Sequence, residues 1–348
     1  MKVLFIYLLL MAIGYISLVI LTVFIYLVIR KTIRNHYVRK KVAYYLYIYP
    51  KVIRQIEEGA TPRIIGVHSK WKREVLRNVL IEAASIFKGK EEMDQIHVLS
   101  DTIGLTKDLE KKLNDKKWWI AADATRVVGR LRLKSLAPAL IQNITSEHYD
   151  LWASSARALS HMDYHKVLIE FIFENEKKLN EWSIIRIIDM LKDLSEENVE
   201  IIIEKMESCS PSLKSLFIEI LGKSRAYTAL SHIEKYLDSH ESELRVKALR
   251  ALTDLNMTTR PEKVISFLES ENWIERLSAT LAVKACRLRE GITQLVPLLA
   301  DANWWIRYRA AETLYAFGTI GIRKLVDVQN HHEDKFAREM AERILSNQ

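Results

Sequence analysis

The stretch Asp301–Leu314 reads DANWWIRYRAAETL, and a counterpart stands far earlier in the chain at Asp115–Val128, DKKWWIAADATRVV. Asp, Trp, Trp, Ile and Ala align without a gap, as do a small residue (Thr125 or Ala311) and a terminal aliphatic. The separation of Asp115 from Asp301 is six times 31. A period of about 31 residues should therefore recur between the two copies, as a repeat architecture requires. Helix starts fall near Trp119, Trp152, Trp182, Leu213, Glu243, Trp273 and Trp305, at spacings of 30 to 33.

Apolar or small residues then recur four and eight positions on. Ile120, Ala124 and Val128 form one set, and Leu244, Ala248 and Leu252 another. Ile274, Ser278 and Ala282, then Ile306, Ala310 and Leu314, repeat it. That spacing lies along one helix face, and small residues in its middle let a neighbouring helix approach. Each such stretch is followed by a break and a second apolar-periodic segment, as at Leu133–Ile144, Ala229–Leu237 and Gln294–Ala300. Each unit is therefore expected to be two antiparallel helices of about 10–13 residues, which bury their apolar faces by stacking. Asp115 and Asp301 stand where an N-cap would satisfy free backbone N–H groups. Trp71–Phe87, Glu91–Ile103 and Leu105–Leu113 are further amphipathic segments ahead of the clear repeats, and Phe336–Leu345 is a half-unit able to close the stack.

The pattern at 301–314 resembles the second-helix signature of HEAT repeats, in the short bacterial variety named after phycobilisome lyases. The likeness covers about residues 115–345, strongly in the last three units and weakly at 152–240. It implies an all-α solenoid of about seven HEAT-like helix pairs and, since that architecture mostly binds other proteins, a scaffold or adaptor. It supplies no catalytic residues, although some related repeat folds attach bilins or excise DNA bases.

Ahead of the repeats lies a segment of different character. From Met1 to Ile56 there are nine Lys and Arg and no Asp or Glu, within a chain of formal net charge +8. Val3–Ile29 is uncharged and apolar, long enough as a helix of about 40 Å to cross a hydrocarbon core of about 30 Å. A cleaved signal would carry a shorter apolar run and a small-residue cleavage site. Arg30, Lys31, Arg34, Arg39, Lys40 and Lys41 follow in close succession. The positive-inside bias then predicts a single-pass anchor in the cell membrane with the amino terminus outside and the solenoid in the cytoplasm. Those six basic residues are candidates for contact with anionic headgroups. Tyr7 and Tyr26 would sit at the interfaces. Tyr44, Tyr45, Tyr47 and Tyr49 could lie on the headgroups, on the soluble domain or on a partner's helix. The expected division is 1–29 anchor, 30–69 juxtamembrane segment with a hinge at Gly59–Ser69, and 70–348 solenoid.

No phosphate loop, dinucleotide fingerprint, nucleophile elbow or HExxH motif occurs. His161/His165 and His331/His332 fall at expected breaks between helices. Cys209 and Cys286 are far apart in sequence and fit neither a zinc site nor a disulfide framework. No cofactor, metal or catalytic residue is expected. The body beyond Ile56 is near neutral, which argues against tracking nucleic-acid phosphates.

Adjacent tryptophans on a helix point about 100° apart, so Trp118/Trp119 and Trp304/Trp305 cannot both face one core. One ring of each pair is expected inside and the other at the surface or a helix start, which makes Trp118 and Trp304 candidate partner-binding residues. Arg307 and Arg309, with Arg276 and Arg245, suggest a guanidinium ladder. It would either pair with carboxylates of the next unit or line a groove for an acidic ligand. The leading expectation is a membrane-tethered scaffold for a protein partner, a membrane enzyme or transporter being the natural one. The alternatives are a HEAT-like enzyme (bilin-lyase-like or DNA-glycosylase-like) or an accessory factor for lipid or polysaccharide export.

Overall fold

The computed structural model describes residues 2–59, 69–176 and 181–346. Most of the expected hinge at Gly59–Ser69, and the side chains of Tyr7 and Trp182, lie outside the described residues. Two compact units divide the chain, Met1–Ala158 and Leu159–Gln348. All regular structure among the described residues is helical.

The first unit opens with α1 (Lys2–Glu58), a single 57-residue helix. It continues with α2 (Lys70–Ile86), α3 (Lys90–Thr102), α4 (Leu105–Leu113), α5 (Trp118–Leu131) and α6 (Ala137–Asn143), and it ends within α7 (Tyr149–Ser160). The second unit carries α8 (His165–Glu174), α9 (Glu181–Met190), α10 (Glu196–Met206), α11 (Pro211–Lys223) and α12 (Leu230–Lys235). Then come α13 (Ser242–Leu255), α14 (Pro261–Ser266), α15 (Trp273–Ala285), α16 (Ile292–Leu295), α17 (Trp304–Ala316), α18 (Thr319–His331) and α19 (Lys335–Ser346).

Seven helix pairs, α5/α6 through α17/α18, succeed one another among the described residues, and α19 is a final half-unit. This is an all-α, HEAT-repeat-like solenoid architecture. The period is tighter than the sequence spacing suggested: α5, α7, α11, α13, α15, α17 and α19 begin at positions that differ by multiples of 31. Within the second unit α11 packs on α13, α13 on α15, α15 on α17 and α17 on α19. The second element of several pairs is short because it is part 3-10 helix, as at Tyr227–Ala229 and Tyr236–Asp238 around α12.

The same period appears in the turns. Arg132, Asp163, Arg225, Asn256 and Arg287 adopt left-handed backbone with φ of 49° to 67°, and Gly318 holds the next place in the series at φ 67°. At Arg287 the amide donates to Lys284 O, and the next amide, Leu288, donates to Val283 O. That paired bonding is a Schellman stop, which satisfies the last free carbonyls of α15. Arg132 and Arg225 end α5 and α11 in the same way. Gly129 and Gly222, near the ends of α5 and α11, serve a different purpose. A Cβ on Gly222 would lie 2.7 Å from Ala251 Cα, and one on Gly129 would lie 2.7 Å from Ala158 Cβ. Both mark the same repeat position, where consecutive first helices come closest.

Candidate functional site

The N-terminal edges of α13, α15, α17 and α19 share one device, to which α15 and α17 add an asparagine cap. Asn272 caps α15, its side chain accepting from Ile274 N–H at 2.9 Å, and Asn303 caps α17, accepting from Trp305 N–H at 2.9 Å. Asp301 is not itself the cap. Its Oδ1 accepts from Asn303 N–H at 2.8 Å in the preceding turn. Early in each helix stands an arginine that reaches back over that turn. Arg245 donates to Ser239 O and His240 O, and Arg276 to Ser270 O and Glu271 O. Arg307 donates to Asp301 O and Ala302 O, and Arg338 to His332 O and Glu333 O. The ladder thus extends one step past Arg307. Arg338 is half-buried by this role.

The expected pairing to the next unit holds for two rungs. Arg245 Nε donates to Glu275 at 2.9 Å, and Arg276 Nε to Asp301 at 2.7 Å. Glu275 is 2 % exposed and also accepts from Ser242 and Ser270, each at 2.6 Å. Burial alone would raise its carboxyl, but these hydroxyls and the Arg245 guanidinium hold it below the usual carboxylate range. Arg307 differs. Among the described residues no carboxylate faces it, its Nε is buried without a hydrogen-bond partner, and the Phe336 ring lies 5.3 Å from its Cζ.

Large aromatic rings stand exposed along this edge: Trp273 (46 %), Trp304 (37 %), Trp305 (57 %) and Phe336 (58 %). Trp304 stacks on Tyr308 at 5.3 Å, meets Trp305 edge-on at 4.9 Å, and carries the Arg343 guanidinium 5.6 Å above its ring. Arg309 lies 5.5 Å from the Tyr308 ring and pairs with Glu312 at 2.7 Å, which Lys284 also holds at 2.9 Å. Of the four expected partner-binding residues, Trp304, Arg307 and Arg309 therefore fall in one patch at the α17/α19 end. Trp118 belongs to the first unit, packed on Ala121, Ala122 and Leu151 and stacked on His148, while its neighbour Trp119 points outward at 54 % exposure. Phe336, Tyr308 and Arg343 complete the patch and were not singled out from sequence. Arg338 was legible, because it stands one repeat after Arg307.

The second candidate surface is α1. Residues 14–58 form one helix long and apolar enough to cross a membrane. Its far end is a packing element: Ile48, Val52, Gln55 and Ile56 are buried, and α1 packs on α2 and α3. Tyr45 donates to Glu82 at 2.7 Å, which pushes its phenol up to about 12, and Tyr44 meets Trp71 edge-on at 5.3 Å. These two tyrosines lie against α2, while Tyr47 stays exposed. The six basic residues divide. Arg30, Lys31, Arg34 and Arg39 are exposed, Lys40 sits 5.2 Å above the Trp71 ring, and Lys41 pairs with Glu74 at 2.6 Å.

Among the described residues no group of three or more His, Cys, Asp or Glu is arranged to hold a metal ion. Burial pushes the Cys286 thiol up to about 11, raises Cys209, and lowers the buried His165. The exposed chemistry is flat aromatic surface and guanidinium groups, suited to binding.

No family model matches the sequence, and no curated relative does. Among solved structures, Kap121p bound to Ste12p matches with a TM-score of 0.50 at 12% identity, over 86% of this chain and 41% of that one. The karyopherin Kap121p bound to the SUMO protease Ulp1p matches with a TM-score of 0.50 at 13% identity over the same shares. An engineered protein matches over 85% of this chain and 88% of its own, with a TM-score of 0.40 and 16% identity. The chain spans under half the length of the karyopherin it resembles, and the likeness is one of fold: a HEAT-repeat-like helical solenoid.

Proposed function

We propose that this protein is a membrane-tethered scaffold whose solenoid holds a protein partner at the cytoplasmic face, the partner being a membrane enzyme or transporter in the same bilayer. At residues 301–314 its repeats resemble the short bacterial HEAT-like kind. The observation that carries the reading is α1, whose apolar stretch from Gly14 to Ile29 is exposed and whose Ile48, Val52 and Ile56 are buried where it packs on α2 and α3. A tether of that form sets distance as well as location. At 1.5 Å per residue, Ile48 lies about 28 Å beyond Ile29 along the helix. Arg30, Lys31 and Arg34 then fall within about 8 Å of the apolar run, in the headgroup layer, whereas Lys40 and Lys41 stand about 17 Å out. The headgroup role rests on the first three, and the last two fasten α1 to α2. Holding a binding surface in the plane of its partner raises effective concentration without new contacts.

The test combines extraction and topology. The chain should stay with membranes through alkaline carbonate, and cysteines placed at the solenoid surface should label only after the cytoplasmic side is opened. A stoichiometric membrane protein should co-purify in mild detergent. Release by carbonate, or a solenoid labelled from outside, would sink the tether. Absence of any co-purifying protein would sink the scaffold.

A further inference from the structure

Two rungs of the arginine ladder meet a carboxylate of the next unit, and Arg307, the rung after them, does not. Arg245 receives its carboxylate from Glu275, just inside α15, and Arg276 receives one from Asp301, in the turn before α17. The matching positions for Arg307 are Ala337, just inside α19, and His332, in the turn before it. Neither is acidic. The atom left over is the same in kind: Nε takes the carboxylate in Arg245 and in Arg276, and Nε is the buried, unpaired atom of Arg307. A buried donor without a partner carries a desolvation cost that a ligand's acceptor would relieve. Over its guanidinium lies Phe336, more than half exposed, and the exposed Trp304 stands three residues earlier on α17 with Arg343 5.6 Å above its ring.

We infer that Arg307 receives an acidic side chain of the partner protein, in the place that Glu275 and Asp301 occupy in the preceding units. Phe336 swings aside, and apolar residues flanking the acidic one lie on Trp304 and Trp305. This rests on the scaffold reading and gives the partner its chemistry: a segment with Asp or Glu beside apolar residues. A bare inorganic anion would leave the exposed rings uncovered, and Arg309 is already neutralised by Glu312. Among the described residues, Arg307 is thus the ladder arginine that both lacks a carboxylate and keeps a buried Nε without a hydrogen-bond partner; Arg338, the last rung, has no carboxylate either but no such buried atom. A carboxylate reaching it forms a charge-assisted bond of the strong class.

The experiment uses the full chain in native membranes with p-benzoylphenylalanine in place of Phe336, or of Tyr227 as a second site. Irradiation and sequencing of the cross-linked segment from Phe336 should give a stretch in which Asp or Glu stands beside or next but one to an apolar residue. Arg307→Gln should cut the yield about tenfold or more, Arg307→Lys by less, and Arg307→Glu paired with reversal of the partner's acidic residue should restore it. The melting shift of Arg307→Gln should be smaller than that of Arg276→Gln, because the latter leaves the buried Asp301 carboxylate without its counter-charge. A non-acidic segment, a yield indifferent to Arg307→Gln, a cross-link to a second copy of this chain, or an equal melting loss would each overturn the inference. Partner capture from Tyr227 alone would overturn it while leaving the scaffold standing. Capture from neither site, with nothing co-purifying, would remove both.

Discussion

Replacing Glu275 with Ala removes a fully enclosed carboxylate of the second unit. Its oxygens accept from Ser242, Ser270 and Arg245, and the Arg245 guanidinium also approaches at 2.6 Å. Breaking a buried ion pair from one side costs about 3–5 kcal/mol, because the surviving charge is left without its partner. Here the low end applies. Arg245 retains its two turn carbonyls, and its side chain is 23% exposed, so water reaches it. An expected loss of about 3 kcal/mol corresponds to roughly a hundredfold faster local opening. Since each repeat touches mainly its neighbours, the loss should be local. Amide exchange in α13 and α15 should accelerate about a hundredfold, and α5 should be unchanged. Glu275→Gln keeps the shape and should lose about 1–2 kcal/mol. Protection changed by less than about threefold in Glu275→Ala would refute the view that this network holds α13 to α15. The pH dependence has a definite sign. Glu275 ionises more readily folded than unfolded, so its contribution is complete at neutral pH. It is lost as pH falls below the ordinary glutamate value of about 4.3 and through the lower folded one. Glu234, held low against its burial by Thr258, Thr259 and Arg260, acts in the same direction.

Three further outcomes test the packing. Gly222→Ala places a methyl 2.7 Å from the Ala251 backbone, so an overpacking cost of about 1–3 kcal/mol should exceed the helix-propensity gain of about 1 kcal/mol and lower the urea midpoint. Gly318 has φ 67° and ψ −143°, a region nearly closed to other residues. Gly318→Ala should therefore cost about 1–3 kcal/mol, whereas Arg287→Gly, relieving left-handed backbone at φ 54°, should raise stability by about 0.5 kcal/mol in the same urea titration. With its thiol near 11, Cys286 is about one part in a thousand thiolate at pH 8, so a thiol reagent should modify it far more slowly in the folded chain than in urea.

Much of the architecture was legible because a regular period leaves its mark in apolar spacing even where individual signatures fade. The weak stretch from 152 to 240 keeps the period to within a residue, α9 starting at Glu181 and α11 at Pro211, although its Trp-Ile-Arg signature is gone. The αL stops were not legible. Arg132, Arg225 and Arg287 carry no glycine to announce them, and the Schellman bonds that hold them join backbone atoms of different turns in a geometry composition does not record. Trp118 and Trp119 could be separated in principle by their angular offset on the helix. Which of them faces in depends on Leu151 and His148, one repeat further along.

By itself the sequence determined the apolar helix, its basic flank, the all-α class and the repeat, because each is a matter of composition or of spacing along one helix face. Tertiary structure decided how charges pair across units. It placed Glu275 and Asp301 on the Nε of Arg245 and Arg276 and left Arg307 with none. It also divided the basic flank, sending Lys41 to Glu74 and leaving Arg30, Lys31 and Arg34 exposed. Those outcomes depend on distances between residues roughly one repeat apart, which are set by how one helix pair seats on the next.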